Sequence, residues 1–438
     1  MYEAWSPNIL RFVQAGGVFV LSERLISTTL SYTVQHGSLK VIFANGQERL
    51  FGNGEDPSVT IRFSDSAAQR ALCLNPELHF GELYVDGRMT VEQGTFMELL
   101  QLLLQDNHGE FKSLPLASIR RLRKLILNLK RTNKPIASKR NVEHHYNLNG
   151  QLYDLFLDAD RQYSCAYFER SDMTLDEAQL SKKRHIVAKL MTDAEHDVID
   201  IGCGWGGMAL YLARTANVRS VTGVTLSTEQ LDVAKKRMIE ASVGNKVSFR
   251  LEDYRETRGK FDRIVSVGMF EHVGIADYPA FFDTCSRLLK DDGVILLHAI
   301  GRSGQPFPTN EWITKYIFPG GHLPVLSELT PVIEKSGLII TDIEILRLHY
   351  ATTLRIWRER FMARRDEAKA LYDERFCRIW ETYLSMSEAA FLWEDVVVFQ
   401  IQMTKRNDTL PITRDYIHER EQHLRKKEQL GKLKQPMS

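Results

Sequence analysis

The chain has 438 residues, more than a single hydrophobic core ordinarily serves, and is read as two domains. With 43% hydrophobic residues, 26% charged residues and 27 glycines, it lacks the signature of a disordered, collagen-like or disulfide-dense chain. A formal charge of +1 excludes a global pull toward nucleic acid or an anionic membrane, so any such attraction must come from local clusters.

The five cysteines, Cys73, Cys165, Cys203, Cys285 and Cys377, are odd in number, far apart and free of Cys-x-x-Cys pairs. That pattern argues against a disulfide framework or a thiolate zinc site and fits a reducing cytoplasm. The apolar piece Gly16 to Leu21 lacks a basic leader and falls well short of the ~20 apolar residues of a membrane-spanning helix. No other segment reaches that length, so a membrane would be met from one side.

Leu39 to Phe43, then Asn45-Gly46, then Glu48 to Phe51 predict a hairpin, with Asn-Gly in a type I′ turn. Thr95 to Gln105, with Phe96, Leu99, Leu100 and Leu103 at helical spacing, predicts an amphipathic helix. This region carries no catalytic motif and reads as a small α+β domain. From Ser118 to Arg140 there are nine basic residues and no acidic one: Arg120, Arg121, Arg123, Lys124, Lys130, Arg131, Lys134, Lys139 and Arg140. Leu122, Leu125, Ile126 and Leu129 share one helical face among them. The pattern suits a helix lying on anionic lipid, and equally a solvated linker helix packed on a neighbouring domain. Pro135 ends it and marks the domain boundary.

From Val198 onward the pattern is strictly βαβ. Strands are predicted at 197–201, 220–224, 247–251, 264–267, 294–297, 338–345 and 396–403, with helices such as Thr228 to Ala241 and Tyr278 to Leu289 between most of them. Such alternation predicts a parallel sheet covered by helices on both faces, with its ligand site at the carboxyl ends of the strands. Two long interruptions, about 302 to 335 and 348 to 392, are candidates for a lid. The charged tail beyond Lys405 reads as a solvated helix or frayed end.

Val198-Ile199-Asp200-Ile201-Gly202-Cys203-Gly204-Trp205-Gly206-Gly207 is a strand, a glycine turn and the start of a helix. Gly202, Gly204 and Gly207 satisfy the dinucleotide fingerprint. Asp200, just before the first glycine, can orient the ammonium of a bound amino acid. The second strand ends in Thr225-Leu226-Ser227 and not in the acid expected to hold an NAD ribose, so S-adenosylmethionine fits better than a dinucleotide. Asp253 and Tyr254, ending the third strand, offer an acceptor and a ring to an adenine. The competing reading is a structural turn flanked by surface acids.

Further segments fall where strand ends and lid should converge: Tyr163 to Phe168, Met269 to Gly274, Leu297 to Gly301 and His349 to Leu354. With the glycine turn, Gly223 to Ser227 and Lys315 to Gly321, they resemble the cyclopropane-fatty-acid synthase and mycolic acid cyclopropane synthase family, from about His144 to Met403. The resemblance implies a Rossmann-like class I methyltransferase, an α/β fold with a helical lid, preceded by a small α+β N-terminal lipid-binding domain. The expected division is 1–115 lipid-binding, 116–141 basic linker, 142–405 catalytic and 406–438 tail. It implies transfer of a methylene group from S-adenosylmethionine to double bonds of phospholipid acyl chains, by a cytoplasmic enzyme peripherally bound to the bilayer.

The family's active-site bicarbonate would by motif position be held by Glu271, His298, Tyr350, Cys165 and the backbone of Ile300. Tyr163, Ser164, Gly202, Gly204, Thr225, Leu226 and Gln230 carry over as cofactor contacts. An unactivated alkene must meet the sulfonium methyl in a dry pocket, and ring closure needs a proton acceptor that does not trap a cation; bicarbonate suits both needs. Each polar residue also has a plainer reading: a buried Glu271–His298 pair, or Tyr350 and Cys165 as packing. Some relatives carry a cysteine where this chain has Ser387, which therefore receives no covalent role. Two alternatives stay open: a methyl-branched olefin as product, or an inactive lipid-binding protein. The resemblance suggests a homodimer. Nucleic-acid binding is not expected, because the basic run lacks interleaved aromatics.

Overall fold

The computed structural model describes residues 17–106 and 150–433, so the basic run from Ser118 to Arg140 and Pro135 lie outside the described residues. The chain forms two compact units. Described residues of the first are 17–106, 310–317 and 362–395; those of the second are 150–309, 318–361 and 396–433. The two long interruptions expected as a lid are therefore divided between the units.

The first unit begins with α1 (Gly17–Thr33), β1 (Ser38–Ile42), β2 (Glu48–Gly52) and β3 (Ser58–Phe63). It continues with α2 (Ser66–Leu74), α3 (Pro76–Val85), β4 (Met89–Gln93) and α4 (Phe96–Leu104). The sheet order is β2-β1-β3-β4, with β1 and β3 parallel and the outer pairs antiparallel. The predicted hairpin is present, but its turn differs. Only Gly46 takes a positive φ, 84°, while Asn45 uses its side chain to accept the amide of Gln47 at 3.0 Å. A left-handed glycine closing a longer loop replaces the type I′ pair. Helix α4 starts at a capping box, in which Thr95 and Glu98 each accept the other's backbone amide. Its Leu99 and Leu102 pack with Leu39, Val59, Ile61 and Ala389, the last from the helix Glu374–Trp393. Gly81 leaves room for Trp312, since a Cβ there would stand 2.7 Å from the indole.

The second unit is built on α5 (Leu175–Lys189), β5 (Asp197–Ile201), α6 (Gly207–Tyr211), β6 (Ser220–Thr225), α7 (Thr228–Glu240) and β7 (Val247–Leu251). There follow β8 (Phe261–Val267), α8 (Tyr278–Leu288), β9 (Leu289–Arg302), α9 (Leu326–Lys335), β10 (Ile339–Ile345), α10 (His349–Ala363), β11 (Val396–Thr404) and α11 (Asp415–Leu433). The sheet order is β10-β11-β9-β8-β5-β6-β7. Successive residues of one strand enter different cores: Val198 and Val265 join one cluster, Ile199 and Ile264 the other, as alternation across a sheet with both faces covered requires.

Two further expectations are corrected. The sheet is mixed, because β11 runs antiparallel to both β9 and β10. All nine residues of β11 are buried, and a strand covered on both faces reads the same in either direction. The charged tail is not simply solvated. In α11, Ile417 and Leu424 enter the core with Ile186 and Leu212, and Glu428 receives Arg184 at 2.8 Å and the Tyr211 hydroxyl at 2.6 Å. Leu424→Ala is expected to destabilise the protein by about 2–4 kcal/mol, read as a lower urea midpoint at unchanged slope.

Candidate active site

Strand order reverses at β5. The chain proceeds outward through β6 and β7 on one side and through β8 and β9 on the other, which leaves a crevice at the carboxyl ends of β5 and β8. The glycine turn fills the start of that crevice. Gly202 has φ 79° and its missing Cβ would stand 2.6 Å from Met269, so no larger residue fits. Gly204, at φ 54°, faces open space, which lets a ligand approach its backbone.

The crevice is a cavity, and all ten expected cofactor residues line it: Tyr163, Ser164, Asp200, Gly202, Gly204, Thr225, Leu226, Gln230, Asp253 and Tyr254. Asp200 is 2% exposed and its Oδ2 has no hydrogen-bond partner among the described residues. Burial raises its pKa to about 7, opposed by the charge of Lys182. An orphaned buried carboxylate in a cavity wall fits a ligand that brings an ammonium, as S-adenosylmethionine does. Thr225 donates to Gln230 at 3.2 Å, and Ser227 caps α7 through the Gln230 amide. Asp253 lines the cavity with its carboxylate already held by Arg255 at 2.6 and 3.0 Å, so its spare acceptor capacity is smaller than expected.

The five residues expected to surround bicarbonate lie outside the lining of this cavity, though Met269 and His272, on either side of Glu271, belong to it. Glu271 Oε1 accepts the Ile300 amide at 2.6 Å, which joins two of the five. His298 lies two residues before Ile300 on β9, so the two share one face of the sheet. Glu271 Oε2 is buried without a partner among the described residues, and burial raises the carboxyl to about 7. An acid that still holds part of its proton near neutrality can donate to a bound anion, so the residue fits bicarbonate.

Cys165 is fully buried, with its thiol directed at the Ala166 carbonyl at 3.2 Å and its pKa pushed up by burial. It is thus a thiol and not a thiolate nucleophile. The adjacent Ala166 amide donates to Thr353 of α10 at 3.1 Å, while Trp357 of the same helix meets Tyr350 edge-on and stacks on Tyr163. These contacts tie the Tyr163–Cys165 segment to the helix that carries Tyr350. Among the described residues no cluster of histidine, cysteine and carboxylate could hold a metal ion.

Lys182 of α5 was not anticipated. It is fully buried and donates to Gln162 at 2.7 Å and to Ser164 at 2.8 Å, two residues of the cavity wall. Burial lowers its pKa to about 8, and its charge acts on Asp200, Cys165 and His298 alike. In sequence it belongs to Lys182-Lys183-Arg184-His185, which reads as a solvated face; no local signal marks it.

A ligand ammonium needs Asp200 ionised. Affinity for S-adenosylhomocysteine is therefore expected to fall about tenfold per pH unit below about 7 and to level off above it. Asp200→Asn should weaken binding and flatten that dependence; calorimetric titration between pH 5.5 and 7.5 checks both.

A family model described as mycolic acid cyclopropane synthetase matches residues 133–401, more than half of the chain. A second, described as a domain of unknown function, matches residues 26–113. The chain is 40% identical over 257 residues to a probable fatty acid methyltransferase of Pseudomonas putida, a match spanning 57% of this chain and 65% of that protein. It is 41% identical over 263 residues to cyclopropane-fatty-acyl-phospholipid synthase of Escherichia coli, covering 60% of this chain and 67% of that one. A tuberculostearic acid methyltransferase of Mycobacterium tuberculosis matches over 398 residues at 34% identity, 86% of this chain and 90% of that one. The solved structure of a mycolic acid cyclopropane synthase complexed with SAH and CTAB superposes with a TM-score of 0.58 at 33% identity, covering 60% of this chain and 97% of that one. The chain belongs to the mycolic acid cyclopropane synthetase family.

Proposed function

We propose that this protein is an S-adenosylmethionine-dependent enzyme that adds a methylene group across the double bonds of unsaturated phospholipid acyl chains, forming cyclopropane fatty acids. The observation that carries this reading is Glu271: a carboxyl bonded to the Ile300 amide, whose Oε2 is buried without a partner among the described residues, next to a cavity lined by Met269 and His272 whose own orphan, Asp200, suits an ammonium. When bound, S-adenosylmethionine supplies an electrophilic methyl group to the alkene. Bicarbonate, held by Glu271, His298, Tyr350, Cys165 and the Ile300 backbone, would supply the base that removes a proton from the new methyl.

The chain's own residues supply the surroundings. Asp200 orients the ammonium, and the glycine turn admits the rest of the nucleoside. The rings of Tyr163, Tyr350 and Trp357 pack on one another, with Tyr350 and Trp357 buried, and would exclude water from the reaction site. Glu271, held by the Ile300 amide, keeps its free oxygen aimed at one place. Cys165 is kept in its thiol form by burial, with its sulfur turned to the Ala166 carbonyl.

A second reading, methylation to a branched olefin, is favoured by two of the relatives, whose names describe fatty acid methylation, one of them matching 86% of this chain. The two products are isomers. Incubation with S-adenosylmethionine and unsaturated phospholipid vesicles, followed by gas chromatography and mass spectrometry of the methyl esters, separates them. A ring-containing product is expected, and Glu271→Gln should lower kcat by about a hundredfold or more while S-adenosylhomocysteine still binds. A branched olefin would retain the site and change the last proton transfer; no product from any unsaturated phospholipid would leave a lipid-binding protein.

The proposal extends to domain roles. Residues 1–115 would bind lipid, 116–141 would dock on the cytoplasmic face of the bilayer, 142–405 would hold the catalytic machinery, and the chain would act as a homodimer. Among the described residues no helix is long and apolar enough to cross a membrane. The nine basic residues between Ser118 and Arg140 support docking on anionic lipid. Co-sedimentation with anionic vesicles is expected to be lost at high salt and on changing Arg120, Arg121, Arg123 and Lys124 to glutamate; indifference to both would sink the docking role.

A further inference from the structure

Behind His298 runs a chain of polar groups that the proposed reaction does not use, buried at Gln400, Lys189 and His185. His298 and Gln400 are direct partners across the β9–β11 ladder, 2% and 0% exposed, with Gln400 Nε2 3.2 Å from His298 Nδ1. Gln400 Oε1 in turn accepts from Lys189 Nζ at 2.9 Å. Lys189 is fully buried, pairs with Glu344 and lies 3.9 Å from Asp342. Glu344 also takes His185 Nε2 at 2.6 Å, and His185 Nδ1 meets Glu421 of α11 at 2.5 Å.

The direction of these bonds follows from the one member that has no choice. An ammonium only donates, so the Gln400 oxygen faces Lys189 and its NH2 group faces His298. An NH2 group donates, so Nδ1 of His298 is the ring's lone pair and its proton resides on Nε2. We propose that Lys189 and Gln400 are positioning residues that lock His298 as its Nε2–H tautomer, making it a hydrogen-bond donor to an anion at the reaction site and not the base of the reaction. Burial, together with the charges of Lys182 and Lys189, lowers the His298 pKa, in keeping with a neutral ring. The inference rests on the proposed function for what His298 donates to, but the tautomer itself does not depend on that reading.

The test uses the full chain labelled with 15N-histidine. Among its thirteen histidines, His298 is assigned by the signal lost in His298→Asn. Long-range 1H–15N correlation should show His298 protonated on Nε2 and bare on Nδ1. Gln400→Glu puts an acceptor where the donor stood and should swap the two; Lys189→Met should free the amide to turn and give a mixture. Gln400→Glu should lower kcat roughly ten- to a hundredfold with S-adenosylhomocysteine affinity unchanged, the latter reporting an intact fold. A parent spectrum with the proton on Nδ1 overturns the lock, whether or not the variants fold. A swapped spectrum with full kcat would leave the lock standing and overturn the placing of His298 in the reaction.

Discussion

Two ammonium groups carried without solvent on one helix set the terms for the second unit. Lys182 and Lys189 of α5 are seven residues apart, two turns along one face, and both are fully buried. Taking a charge out of water costs several kcal/mol unless acceptors surround it, so the structure must bring acceptors to both places. Lys182 collects Gln162 and Ser164 from the cavity wall; Lys189 collects Glu344 from β10 and Gln400 from β11. The same helix presents Arg184 and His185 to Glu428 and Glu421 of α11. One helix thereby ties the cofactor wall, the reversed strand and the last helix together through polar contacts whose geometry is directional.

Much of this architecture was legible in the chain. Asp200, the glycine turn and Thr225-Leu226 follow from a strand-turn-helix pattern, and that pattern specifies local backbone shape. The structure gathers these residues with Tyr163, Ser164 and Gln230, which came from the family resemblance, around one cavity. The Glu271–Ile300 bond likewise joins two residues that only the resemblance had brought together.

The features without a local signal are long-range. Val396 to Thr404 is buried on both faces, Gln400 and Gln402 included, and nothing in its pattern marks the direction in which it runs. Lys182 and Lys189 look in sequence like any solvated lysine, and only their partners, up to 211 residues away, identify them. In the tail, Ile417 and Leu424 stand two turns apart among many charges, too sparse to betray a packed face. The Asn45-Gly46 turn was located correctly and misassigned in type, since loop length and not the dipeptide alone decides which residues turn left-handed.

The helix Glu374–Trp393 has a bearing on how such a protein can be taken apart. It lies within the stretch matched by the family model, yet it belongs to the first unit, where Ala389 helps fill the core and Trp312, from another inserted segment, occupies the space left by Gly81. The two units are therefore interleaved along the gene and are not consecutive. A cut between them at any one point would strip the N-terminal unit of part of its own interior. Exchange of the N-terminal segment alone would separate that unit from the distant segments that complete its core.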